Sequence, residues 1–230
     1  MSVQDDSREQ QMRDRFNLRV TEDRKRDGID AFLRIDGQIV NFELKSTTSG
    51  SVSTVRDFGP KHIEKWKDLH WVIAVYDKPG KNILRCHYAS PADMAPWISK
   101  KREYVLPDVV LGEDIAPMVT AATVIKIFNG RGAPYTKKDA KWIMKNQWGA
   151  DDYKAAMDEL GGYSVERMTE MLRLRCEYLM ARGSTLNNPH IEKSYVAGLP
   201  LLDDEEPAMN LREYVRAYLQ SASATDEATA

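Results

Sequence analysis

The sequence predicts an α/β (α+β) fold, with a sheet in residues 1–130 and a mainly helical second half. Three observations predict it. Between residues 29 and 45 the apolar pattern has a period of two, broken at Asp36-Gly37. A short amphipathic stretch and then an apolar run, Trp71-Val-Ile-Ala-Val-Tyr76, follow it. Past residue 130 the apolar spacing becomes helical, punctuated by cap residues.

The elements follow in order. Residues 5–17 are polar and helix-compatible, with Met12 and Phe16 one turn apart. Ile29-Asp-Ala-Phe-Leu-Arg-Ile35 and Gln38-Ile-Val-Asn-Phe-Glu-Leu-Lys45 flank a two-residue hairpin turn. Residues 46–59 form a loop rich in Ser, Thr and Gly. Pro60 opens a short helix over 60–70 whose apolar stripe is Ile63, Trp66 and Leu69. Strands over 71–76 and 83–89 are joined by the turn Lys78-Pro-Gly-Lys81. Ser90 caps a further helix with Pro91 in its first turn. Helices are expected over 114–128, starting near Pro117, and over 140–148 behind the capping box Thr136-Lys-Lys-Asp139. Ser164 caps a helix that Gly183 ends, and 210–219 is a last amphipathic helix. The small polar tail, 223–230, is expected to be disordered. A boundary is expected at 130/131, with Arg131-Gly-Ala-Pro134 as the joint.

Composition narrows the class. The chain of 230 residues is 42% hydrophobic and carries no apolar run of the roughly 20 residues a membrane helix needs. The segment MSVQDDSREQQMRDR lacks an apolar core, so a secretory signal is not expected. Cys86 and Cys176 match no zinc spacing or disulfide framework and read as buried thiols of a cytoplasmic protein. The net charge of −2 counts mildly against a nucleic-acid binder. However, basic residues gather over 13–26 and 137–145, and acidic ones over 203–206.

With Asp36-Gly37 in the turn, Ile35 pairs with Gln38 and Asp30 falls directly opposite Glu43. One hairpin face is then apolar: Ile29, Ala31, Leu33, Ile35, Val40, Phe42 and Leu44. The other carries Asp30, Phe32, Arg34, Ile39, Asn41, Glu43 and Lys45. Like charges directly opposite destabilise a sheet. A divalent cation between the acids would offset this, activate a water and stabilise charge on a phosphate. Lys45 would help hold the water. The same pattern also fits a solvated hairpin face on which the lysine offsets the acids.

These residues resemble the PD-(D/E)XK nuclease superfamily, most closely its type II restriction endonucleases. The match runs from Arg26-Asp-Gly-Ile-Asp30 into a strand, then Phe42-Glu-Leu-Lys45 on the next strand, then the helix from Pro60 and the strand from Trp71. The resemblance covers roughly residues 5–90 and implies an αβββαβ core with a mixed central sheet. It implies residues 1–130 as the catalytic core, with 131–222 as a helical subdomain for DNA recognition or dimerisation. Asp30, Glu43 and the Leu44 carbonyl would bind Mg²⁺, with Mn²⁺ as a substitute, and Lys45 would orient the water. The family's Pro-Asp pair is absent. Asp27 is therefore a rival first acid, although the register turns it to the other face, opposite Ser46. Glu9 and Glu22 are candidates for an added glutamate.

Further residues could touch DNA. Ser46, Thr47 and Thr48 follow the active strand and could meet phosphate oxygens, as could Arg56. His62, on the same helix as Lys65, reads as a half-buried structural residue. Lys137, Lys138 and Lys141 make a basic segment in which Trp142 is expected to be core. Asn187 and Asn188, after a helix with Arg173, Arg175 and Arg182, have side chains suited to reading base edges. The expected function is a site-specific double-stranded DNA endonuclease that leaves 5′-phosphates and acts as a homodimer, with a cognate DNA methyltransferase as a candidate partner. The alternatives are a repair, recombination or phage nuclease of the same fold, and a non-catalytic DNA-binding module.

Overall fold

The computed structural model describes residues 3–20, 28–54, 60–183, 189–202 and 205–229. Helix α1 (Val3–Phe16) is followed by strands β1 (Ala31–Ile35), β2 (Gln38–Thr47) and the short β3 (Val52–Ser53). Helix α2 (Pro60–Lys67), strands β4 (His70–Tyr76) and β5 (Ile83–Ala89), and helix α3 (Pro91–Ile115) come next. Then come α4 (Ala121–Ile127), α5 (Lys137–Met144), α6 (Ala150–Ala155) and α7 (Val165–Gly183). The chain closes with β6 (His190–Ile191), α8 (Lys193–Ala197), β7 (Leu201–Leu202) and α9 (Pro207–Thr229).

Chain packing divides this order into two units. One comprises residues 1–55, 60–102 and 188–230; the other comprises 56–59 and 103–187. The division falls within α3, not at the expected 130/131. Arg131-Gly-Ala-Pro134 is interior to the second unit, because Tyr135 bridges to Tyr163 there.

The first unit is built on a mixed five-stranded sheet of order β1-β2-β4-β5-β7. The hairpin has the expected register, with Ile35 opposite Gln38 and Ala31 opposite Phe42. Its turn works because Asp36 and Gly37 both take positive φ, 48° and 81°, which a tight hairpin requires. Strand β2 runs parallel to β4, the other pairs antiparallel. Strand β4 is buried along its whole length, as its continuous apolar sequence demands. Strand β3 pairs with β6 outside this sheet.

Each sheet face is covered. Met12 and Phe16 of α1 and Leu211 and Val215 of α9 pack on Leu33, Val40, Phe42 and Leu44. On the other face, Trp66 of α2, Trp71 of β4 and Trp97 of α3 form a buried aromatic cluster, with ring centroids 5.1–6.5 Å apart. Ser90 and Asp93 cap α3 reciprocally, Asp93 accepting from the Ser90 backbone and hydroxyl, and Ser90 Oγ from the Asp93 N–H.

The second unit has its own core, in which Val124, Tyr135, Ile143, Met144, Tyr153, Tyr163, Met168 and Met171 meet. Several expectations change here. The stretch expected as one helix over 114–128 is three pieces: the end of α3, a 3-10 turn over Ala116–Met118, and α4. Thr136 and Asp139 do form the capping box, but α5 ends at Met144, because Lys145 and Asn146 turn left-handed, with φ 52° and 57°. Cys86 is buried, whereas Cys176 is only half-buried. In the first unit, the tail expected to be disordered from 223 continues α9 to Thr229.

Phe42 is fully buried between the hairpin and its covering helices. Phe42→Ala is expected to lower stability by about 3–5 kcal/mol, read from the midpoint of urea unfolding.

Candidate functional site

The charged hairpin face ends in a cluster. Asp30 stands one residue before β1, and its Oδ2 accepts the Leu44 N–H at 2.9 Å. That bond pins the carboxylate to β2, just beyond the last hairpin pair, Ala31 with Phe42. Lys45, one side-chain repeat along β2, brings its Nζ to 2.7 Å from Glu43 Oε1 and 4.0 Å from Asp30 Oδ2.

Burial comes from the neighbouring strand. In the parallel pairing Glu43 stands beside Trp71 and Lys45 beside Ile73, both fully buried and apolar. Glu43 is only 2% exposed. Burial alone would drive its carboxyl upward, but the Lys45 and Lys65 ammonium groups outweigh it and hold Glu43 below the ordinary carboxylate range. Asp30 goes the other way. Burial and the Glu43 charge raise its pKa, and Lys45 and the Leu44 N–H only partly oppose them. Burial pulls the Lys45 ammonium down, but Glu43 and Asp30 raise it further, so Lys45 stays protonated.

Lys65 is the site residue that the sequence pattern did not single out. It reaches from α2 to 3.5 Å from Glu43 Oε2 and donates to the Gly28 carbonyl at 3.4 Å. The available signal was its position beside Trp66, on a helix that must cover the charged face. Glu9 of α1 is paired with Arg13 at 3.4 Å. Its charge also acts on Asp30 and Lys45.

The other expected contacts divide. The Thr47 hydroxyl donates to the Ser51 carbonyl at 2.6 Å and accepts the N–H groups of Ser49 and Gly50, so it shapes the loop rather than facing outward. Ser46 is half-buried and Thr48 exposed. His62 is half-buried, edge-on to Trp66. In the second unit, Lys137 reaches the Ala150 carbonyl, while Lys138 and Lys141 are exposed. Trp142, expected in the core, is 52% exposed, because α5 turns Ala140, Ile143 and Met144 inward. Arg173 is spent on the Val119 and Pro117 carbonyls and Arg175 on Gln147. Glu22, Asp27, Arg56, Asn187 and Asn188 lie outside the described residues.

Two carboxylates and a backbone carbonyl are hard oxygen donors of the kind Mg²⁺ takes. The donor set fits such an ion, because Glu43 Oε2 is buried and has no hydrogen-bond partner among the described residues. No three His, Cys, Asp or Glu side chains among those residues are gathered for a metal, so a cation would rest on two carboxylates.

The pKa directions predict opposite stability effects. Folded Asp30 holds its proton more tightly than the unfolded chain, so its ionisation costs stability as pH rises above its ordinary 3.8 through the folded value. Asp30→Asn is expected to melt above the wild type at neutral pH, with the gap closing on acidification. Glu43 has a depressed pKa and adds stability above its ordinary 4.5 that is lost as pH falls through the folded value. Glu43→Gln should therefore melt below the wild type at neutral pH. Thermal melts across the acid range check both signs.

No family model matches the chain, and no curated protein matches it at a significant level.

Proposed function

We propose that this chain is a Mg²⁺-dependent, site-specific double-stranded DNA endonuclease of the PD-(D/E)XK kind, leaving 5′-phosphates as type II restriction enzymes do. The observation that carries the reading is the meeting of Asp30, Glu43 and Lys45, with Lys45 Nζ 2.7 Å from one carboxylate and 4.0 Å from the other. The element order from α1 to β4 (helix, three strands, helix, strand) supports it in part, since the third of these strands pairs outside the central sheet.

Asp30, Glu43 and the Leu44 carbonyl would hold the cation, which supplies Lewis-acid charge beside the scissile phosphate. Lys45 stays protonated, so it serves as a donor and not as a base. It orients the attacking water through the water's lone pair and offsets charge on the phosphate. Trp71 and Ile73 keep bulk water from that side of the site. A palindromic target would call for two copies of the chain, hence a homodimer. Such an enzyme would be accompanied by a methyltransferase that protects the same site.

One face of α5 supports a role in DNA contact. Lys138, Lys141 and Trp142 lie on it, Lys145 follows at its left-handed C-terminal cap, and none of the three lysines forms an ion pair among the described residues. Asp139, the one acid in residues 131–146, is held by Arg131 at 2.7 Å and by Thr136.

Two experiments test this. Plasmid DNA incubated with Mg²⁺ should give discrete fragments whose sequenced ends share one site, and EDTA should abolish them. Glu43→Ala and Lys45→Ala should each cut at least about 10²-fold more slowly. Full activity in either variant overturns the assignment, while cleavage confined to branched or single-stranded DNA points to a repair or recombination nuclease. Charge reversal at Lys138, Lys141 and Lys145 together should weaken DNA binding for all sequences alike. It should also flatten the salt dependence by about one unit of slope per lost phosphate contact, measured by fluorescence anisotropy in EDTA.

A further inference from the structure

We propose that Lys65 is a positioning residue that competes with the divalent cation for the Glu43 carboxylate. In the cation-free protein it seats and neutralises that carboxylate; it yields its place when the ion binds. The proposal rests on the reading that Asp30 and Glu43 hold the cation.

Among the described side chains that meet here, Asp30 and Glu43 contribute two negative charges and Lys45 and Lys65 two positive ones, so these four balance, and Glu9 beside them is itself paired with Arg13. A divalent ion added to the cluster leaves an excess of positive charge in a poorly solvated place, where such an excess is costly. One ammonium has to withdraw. The two lysines differ in how closely they approach Glu43. Lys45 lies 2.7 Å from Glu43 Oε1, lies 4.0 Å from Asp30, and is 18% exposed. Lys65 lies 3.5 Å from Glu43 Oε2, beyond a good hydrogen bond, and is 23% exposed. The oxygen it faces is buried and, among the described residues, has no closer polar partner than this ammonium. Lys65 thus stands at the open coordination position of Glu43, on a four-carbon stem that can swing toward solvent.

Its second contact gives it a second effect. Lys65 donates to the Gly28 carbonyl, two residues before Asp30. It therefore ties the approach to β1 to the same carboxylate, and its withdrawal releases both. Among the described residues Lys65 is the side chain of α2 that joins the two halves of the acid pair.

The test reads cation affinity and stability, not cleavage. Mn²⁺ binding is followed by the loss of the free-ion paramagnetic resonance signal, with the wild type, Lys65→Met, Lys65→Arg and Glu43→Ala compared. Removing the competing charge should tighten Mn²⁺ binding at least about tenfold in Lys65→Met. Lys65→Met should also melt lower than the wild type in EDTA and regain most of that loss in saturating Mn²⁺. Lys65→Arg keeps the charge and grips a carboxylate with two N–H groups, so it should bind Mn²⁺ more weakly than the wild type. It also carries the test should Lys65→Met not fold. Unchanged affinity in both variants overturns the competition while leaving the cation site intact. If the wild type binds no more Mn²⁺ than Glu43→Ala, the cation site itself fails, and the competition with it.

Discussion

Asp30, just before β1, and Glu43, on β2, share the ammonium of Lys45, and Glu43 and Lys45 lie beside a strand that offers them Trp71 and Ile73. Two ionised carboxylates gathered in so buried a place repel each other. The fold must supply cations to make the arrangement stable, and it does so from two directions. Lys45 comes from the same strand, one repeat along the same face. Lys65 comes from the helix that covers that face. Both lysines favour Glu43, and Asp30 receives a backbone N–H and the longer of Lys45's two contacts. This asymmetry sends the two carboxyl groups in opposite directions, Glu43 down and Asp30 up.

The arrangement depends on register, and register is enforced twice. The left-handed pair Asp36 and Gly37 admits a single two-residue turn. The apolar face then locks it, since a slip of one residue would turn Phe42 and Leu44 out of the core under α1 and α9 and drive Glu43 in. The turn is held from α9 as well, where Arg216 Nε lies 2.9 Å from Asp36 Oδ2. Apolar packing on one side of the hairpin therefore positions the charges on the other.

How much of this could be read from the residues depended on distance along the chain. The hairpin, its faces and the Asp30–Glu43–Lys45 juxtaposition were legible because a two-residue turn and a period of two leave no freedom. The caps at Ser90 and Thr136 were legible for the same local reason. Lys65 was not, because its place depends on how α2 rotates on the sheet, which Trp66, Trp71 and Trp97 decide together. Trp142 was expected in the core, but Ala140, Ile143 and Met144 alone close the inner face of α5. A division of the packing within α3 was not legible, because the helix itself runs unbroken from Pro91 to Ile115.

The same local reasoning reweighs the net charge of −2. A phosphate responds to charges within about 8 Å at physiological salt, not to the sum over the chain. What matters is whether each cation already has a partner. At the hairpin site each lysine faces a carboxylate, so that cluster offers little attraction to a polyanion until a cation binds. Among the described residues Lys138, Lys141 and Lys145 have no such partner, and Asp139 is held by Arg131. In the endonuclease reading, affinity and chemistry thus belong to different parts of the chain. Loss of the α5 lysines would act on binding at every sequence, whereas loss of Lys45 would act on the reaction alone.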